Sequence, residues 1–252
     1  MLQVEGDRAA NLRTATEIIE SHAGHDLYVL PELSSSGYGE KAFQRLDQLA
    51  EDWDGPSLEV FSTLARKQSC AICYSFPRRE KDGFTISAAV VDPNGELVVR
   101  YDKWHVCSTG VCCEQEYFVD GTRPPETFEI NGIRIGVAIC YDIRFPEIFR
   151  KLTVEHHVDL LIHPGGWPRD EGFETWHDFV RVRAMENCIY ILSTNWAGPD
   201  NGSTVFCPPF AKEGNGLLGD EPGVLPGLVD PVYLSKIRET YPYLVDRKPE
   251  MY

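Results

Sequence analysis

The chain alternates between two hydrophobic periodicities, and that alternation constrains its fold more than any other feature. Asp7 can cap a helix in which Leu12, Ala15 and Ile19 share one face. Leu27-Tyr28-Val29-Leu30 then reads as a short buried strand stopped by Pro31. Pro56 sits where a first helical residue belongs, with Leu58, Phe61, Leu64 and Ala65 following at helical spacing. Strands are expected around Ala71–Phe76, Thr85–Val91 and Glu96–Tyr101, the last two joined by the turn Asp92-Pro93-Asn94-Gly95. Asn131-Gly132 marks a second hairpin between Thr127–Ile130 and Ile133–Ile139. Further on, Pro146 opens a helix to about Leu152, Asp159–His163 is a strand, Thr175–Asn187 a helix and Cys188–Thr194 a strand. A strand near Ser203–Cys207 and a helix over Pro231–Thr240 complete the pattern. Helices interleaved with apolar strands, some of them hairpins, define a layered α/β architecture with mixed sheets. The 252 residues show no clean linker and no repeat, and fit a single domain over 1–252.

Charge narrows the partners. Asp plus Glu outnumber Lys plus Arg by 39 to 24, a formal net charge of −15. Such a surface repels phosphate backbones and anionic lipid, so neither nucleic acid nor a membrane is an expected partner. Eight cysteines, with no export signal in Met1–Asp7, point to reduced thiols and a cytoplasmic location. Cys70 and Cys73 fall on opposite faces of a strand, which disfavours a shared metal or a disulfide. The pairs His22/His25 and His156/His157 have no cysteine or carboxylate cluster at zinc spacing, and no metal is expected.

Three polar residues stand at abrupt strand ends. Glu32 follows Leu27–Leu30, Lys103 follows Glu96–Tyr101, and Cys140 ends Ile133–Ile139 just ahead of a proline-opened helix. Side chains at strand ends project from a rigid scaffold into a crevice. Singly, each has an ordinary alternative: a loop carboxylate, a surface ammonium and a small core thiol. Together they compose a reaction. A carboxylate can take a thiol proton, an ammonium can stabilise an oxyanion, and the backbone N–H of Tyr141 is a natural second donor.

The segments carrying these residues resemble the motifs of the nitrilase superfamily of carbon–nitrogen hydrolases. Asp26-Leu27-Tyr28-Val29-Leu30-Pro31-Glu32, continued by Gly37-Tyr38, resembles the Glu motif, and Tyr101-Asp102-Lys103-Trp104-His105 the Lys motif. Gly136-Val137-Ala138-Ile139-Cys140-Tyr141-Asp142-Ile143-Arg144-Phe145-Pro146-Glu147 resembles the Cys motif, and Arg183-Ala184-Met185-Glu186-Asn187 a helix motif downstream. The resemblance implies an αββα sandwich of two mixed sheets, a Glu32–Lys103–Cys140 triad without metal or cofactor, and a homodimer or higher homo-oligomer. A second family glutamate near the lysine falls on Glu114 rather than Glu116, judged by its spacing to Tyr117-Phe118. The family's first strand would lie ahead of Gln3, so that sheet edge is expected to be shortened. Asp120 stands where the family usually has proline, which could alter the loop carrying Glu114.

Cys140 followed by Tyr141-Asp142-Ile143-Arg144-Phe145 resembles the amidase branches, including omega-amidases, more than true nitrilases, which tend to have Trp-Glu there. The expected substrate is a small linear amide bearing a carboxylate, hydrolysed through a Cys140 thioester with release of ammonia. N-carbamoyl substrates and nitriles are the alternatives within this chemistry. Arg144 could hold the carboxylate or pair internally with Asp142 or Glu147. Tyr38, Tyr141, Trp167 and Trp196 are further candidates for substrate binding. Outside this class, a non-catalytic binding protein on the same fold is the rival, which intact Glu32, Lys103 and Cys140 oppose. The glycine pattern Gly214-Asn215-Gly216-Leu217-Leu218-Gly219 neither follows a clear strand nor opens a helix, and reads as a loop rather than a nucleotide site.

Overall fold

A computed structural model describes residues 1–109, 114–210 and 216–251. The elements run α1 (Arg8–Ser21), β1 (Leu27–Val29), α2 (Glu40–Phe43), α3 (Leu46–Leu49), α4 (Pro56–Gln68), β2 (Ala71–Glu80), β3 (Gly83–Val91) and β4 (Leu97–Asp102). They continue with β5 (Thr127–Ile130), β6 (Ile133–Val137), α5 (Pro146–His156), β7 (Leu160–Pro164), α6 (Phe173–Asn187), β8 (Tyr190–Thr194), β9 (Val205–Cys207), β10 (Gly216–Leu217) and α7 (Pro231–Thr240). The first sheet has the order β1-β2-β3-β4 and the second β10-β9-β8-β7-β6-β5, and each mixes parallel with antiparallel pairs. No strand precedes α1 among the described residues, and β1 is an edge of the first sheet.

Period-2 alternation explains the layering. On β2 and β3, Ala71, Cys73, Ile86, Ala88 and Val90 point into a core shared with the second sheet. Their neighbours Ile72, Tyr74, Ala89 and Val91 point the other way, onto Leu12, Ala15 and Ile19 of α1 and Phe61, Leu64 and Ala65 of α4. Both faces of this sheet are therefore dry. On the far side, Phe149 and Leu152 of α5 and Trp176, Val180 and Ala184 of α6 close the second sheet. The result is the αββα sandwich. Cys70 and Cys73 belong to the two different cores, as their spacing requires, and the six described cysteines form no disulfide. No helix among the described residues is long and apolar enough to cross a membrane.

Local chemistry fixes the ends. The Asp7 carboxylate accepts from Ala10 N at 2.9 Å and caps α1. Asn131 and Gly132 both adopt positive φ, +50° and +80°, the pair a tight type I′ hairpin needs. Several elements differ from the sequence reading. β2 runs on to Glu80, and α5 to His156. β6 stops at Val137 rather than Ile139: Ala138 N still donates to Ile162 O of β7, but Ile139 N turns to the Asp142 carboxylate. Cys188 is the left-handed cap of α6 (φ +50°) and β8 begins only at Tyr190. Within the glycine-rich stretch, Gly214 and Asn215 lie outside the described residues, while Gly216-Leu217 pairs with β9 as a short strand rather than a loop.

Candidate active site

Both sheets contribute to one buried cluster. Lys103 follows the end of β4, and its Nζ donates to Glu32 Oε1 at 2.7 Å and to both oxygens of Glu114, at 2.9 and 2.8 Å. All three side chains are fully shielded from solvent. Glu32 lies just past β1 and is held by its own backbone: its N–H donates to Gly165 O, and its carbonyl accepts from Trp196 Nε1 at 3.0 Å. Glu114 opens a 3-10 turn, Glu114–Glu116, and also accepts from Tyr38 OH (2.6 Å) and Cys107 N (2.7 Å). Glu116, two residues on, is exposed. Asp120 leaves that loop in place: its Oδ1 accepts from Val106 N at 2.8 Å, and Gly121 N donates to Lys103 O at 2.7 Å.

Cys140 enters from the second sheet, at the first residue of a 3-10 turn, Cys140–Arg144, with φ at +42°. A residue with a Cβ resists that conformation, so surrounding contacts must impose it. Asp142 supplies several of them. Its Oδ2 accepts from Ile139 N (3.0 Å) and Tyr101 OH (2.7 Å), while Oδ1 accepts from His105 N (3.1 Å) and lies 3.0 Å from His105 Nδ1. Tyr101 and His105 flank Lys103, so one buried carboxylate ties the lysine segment to the thiol segment. From below, His163 Nε2 lies 2.9 Å from the Cys140 carbonyl oxygen.

Electrostatics follows from burial. The Glu32 carboxyl is raised from 4.5 to about 8, chiefly by desolvation, with the Lys103 ammonium opposing the rise and the Glu114 charge adding to it. Burial works against the Lys103 ammonium, but Glu114 and Glu32 outweigh it and hold its pKa well above the usual lysine value. The Cys140 thiol is driven well above its usual range by burial and by the Glu32 charge, against the pull of Lys103. It therefore rests as a thiol and needs a base at the moment of attack. Glu32 Oε2 is buried, has no hydrogen-bond partner of normal geometry, and faces the Cys140 thiol closely enough to interact with it. Gly166 leaves room for it, since a Cβ there would lie 3.0 Å from that oxygen.

A cavity of about 450 Å³ opens onto Cys140, lined also by Tyr141, Arg144, Gly166 and Trp167, with Cys107, Asp170 and Glu171 among the rest. Arg144 pairs with neither Asp142 nor Glu147. Its guanidinium lies over the rings of Tyr141, Trp167 and Phe179, 5.3 to 5.6 Å from their centroids. Arg144 Nε and Trp167 Nε1 are both buried donors without a hydrogen-bond acceptor among the described residues. Two expected pocket residues stand elsewhere. Trp196 is fully buried behind Glu32 and does not line this cavity, and Tyr38 is committed to Glu114. Asp142 and His163 are the residues the sequence reading missed as parts of the site. A histidine inside the apolar run Leu160–Pro164 was the available signal for the second, because a buried polar group must have partners.

The two-sheet sandwich and the family that the chain matches place it among the hydrolases of carbon–nitrogen bonds. A family model described as carbon-nitrogen hydrolase matches residues 1–210, and the chain belongs to that family. It is 30% identical over 260 residues to an omega-amidase of Xenopus tropicalis, covering 97% of this chain and 92% of that one. It is 28% identical over 258 residues to a 2-oxoglutaramate amidase of Bacillus subtilis, covering 98% and 95%. A solved structure of a mutant of an amidase from Nesterenkonia superposes with a TM-score of 0.83 at 26% identity, over 99% of this chain and 92% of that one.

Proposed function

We propose that this protein hydrolyses the amide of a small, carboxylate-bearing substrate through a thioester on Cys140. In this reading Glu32 takes the thiol proton as Sγ attacks the amide carbon. Lys103 and the Tyr141 N–H hold the oxygen that becomes negative. Collapse of the tetrahedral adduct breaks the C–N bond, and Glu32 returns the proton to the departing nitrogen, which leaves as ammonia. Water then attacks the thioester, giving its proton to Glu32, and release of the acid restores thiol and carboxylate. Glu114, bonded twice to Lys103, fixes the direction of the ammonium.

The observation that carries this reading is the buried contact of Lys103 with Glu32 and Glu114, with Glu32 also interacting with the Cys140 thiol that lines the cavity. The carboxylate preference is supported by a second one. Arg144 and Trp167 line that same cavity, and each carries a buried N–H without an acceptor among the described residues, so a carboxylate bound there would meet a cation and two donor-bearing side chains. The amidase relatives, acting on omega-amides and 2-oxoglutaramate by their names, agree with it.

The test is ammonia release from dicarboxylate monoamides, N-carbamoyl amino acids, aliphatic amides and nitriles. Monoamides of dicarboxylates should be turned over best. Arg144→Met should raise their KM about tenfold or more, the worth of one charge-assisted contact, and leave neutral amides nearly unchanged. Activity confined to N-carbamoyl compounds or nitriles overturns the substrate assignment, and turnover that survives Cys140→Ala overturns the mechanism.

A further inference from the structure

Cys140 holds its φ of +42° with its carbonyl oxygen turned to the interior, where His163 Nε2 meets it at 2.9 Å. His163 is on β7 and fully buried. Its other nitrogen, Nδ1, lies 2.6 Å from Ser193 Oγ on β8, and Ser193 Oγ accepts from Trp176 Nε1 of α6 at 3.0 Å. The protons in this chain are determined by elimination. The Cys140 carbonyl can only accept, so Nε2 carries the hydrogen. Nδ1 then accepts from the Ser193 hydroxyl, whose oxygen is free to accept the indole N–H. Burial also lowers the His163 pKa to about 4, so the ring stays neutral through the working range.

This relay has a consequence across the next peptide bond. The Cys140–Tyr141 peptide is planar and trans, so its C=O and N–H point in opposite directions. Pinning the oxygen toward β7 turns the Tyr141 N–H away from it, to the side where Cys140 and Tyr141 line the cavity. That N–H is at the start of its 3-10 turn and has no partner within it. No other backbone bond among the described residues takes it. We infer that His163 is a positioning residue that, through the plane of the Cys140–Tyr141 peptide, aims the Tyr141 N–H at the oxygen of the reacting carbonyl. The inference rests on the acyl-transfer reading above, and goes beyond it in assigning work to a residue outside the cavity.

The experiment separates two reactions of the same thiol. Amide turnover needs the oxyanion donor, whereas alkylation of Cys140 by iodoacetamide develops no oxyanion. His163→Leu removes the pin at similar volume. Its kcat/KM for the best amide should fall roughly 10- to 100-fold, below or at the loss typical when an oxyanion donor is deleted, while the Cys140 alkylation rate stays within about threefold. His163→Gln, whose side-chain amide can donate from near the Nε2 position, should recover most of the turnover. Ser193→Ala, which frees Nδ1 and loosens the tautomer, should show the same split at several-fold, and carries the test if the leucine variant does not fold. Near-normal turnover in the Leu and Ala variants overturns the inference, as does a parallel fall of alkylation and turnover. Wild-type protein with no thiol-dependent amide turnover would instead defeat the acyl-transfer reading, so the two failures are distinguishable.

Discussion

Replacing Glu32 by Gln should inactivate the enzyme and remove a loss of stability that the wild type undergoes as pH rises above about 5. Glu32 is fully buried and its pKa rises from 4.5 to about 8, chiefly because burial disfavours its charge. A carboxyl raised on folding gives stability that is fully present below the unfolded value and is lost as pH climbs through the folded one. Between about 5 and 8 the wild type should therefore lose about 1.4 kcal/mol per pH unit relative to Glu32→Gln, which has no proton to shed. Summed over the gap between 4.5 and about 8, the difference between the two proteins should change by roughly 5 kcal/mol. Urea unfolding of both proteins across pH 5 to 9 measures it, with the two curves diverging as pH rises. The same proton should appear in kinetics, with wild-type kcat/KM rising through about pH 8 as the base is uncovered. A stability difference that stays flat over this range would mean that Lys103 keeps Glu32 ionised throughout, and would refute the assignment of a high-pKa base.

Two other substitutions probe how the site is held. In Asp142→Asn, either orientation of the amide sets its NH2 against a fixed backbone donor, Ile139 N or His105 N. A loss of about 2–4 kcal/mol in urea unfolding and a large fall in turnover are expected, and a change under about 0.5 kcal/mol would mean Asp142 is not the tie described. Gly121→Ala would drive a Cβ to 2.4 Å from the backbone oxygen of Asp102, at the end of the strand that presents Lys103. That should destabilise by about 2–3 kcal/mol and depress turnover, whereas unaltered thermal unfolding would show that the loop yields freely.

Much of the fold could be read from residues. The hairpin at Asn131-Gly132, the Asp7 cap, Pro56 as the first residue of α4, and the opposed side chains of Cys70 and Cys73 follow from local chemistry, and so they fall where expected. Glu32, Lys103 and Cys140 were legible as polar residues ending apolar strands. Glu114 was legible only by resemblance, because nothing local distinguishes it from Glu116 until the chain folds and one of them meets Lys103. Trp196 shows the limit on the other side. A tryptophan after a strand suits a pocket wall, yet only the tertiary structure reveals that its indole N–H is needed by the Glu32 carbonyl. His163 and Asp142 escaped because their partners, Cys140 O and the Lys103 segment, are brought to them by other strands. Strand ends were misjudged where apolar character continues past the ladder, as at Ala138-Ile139, since hydrophobicity reports burial rather than pairing.

Lys103 belongs to one half of the sandwich and Cys140 to the other, and neither half holds a usable reactive group by itself. Regain of activity after denaturation therefore marks the moment when the two sheets seat against each other. Far-ultraviolet signals, which report the strands and helices one by one, should recover earlier.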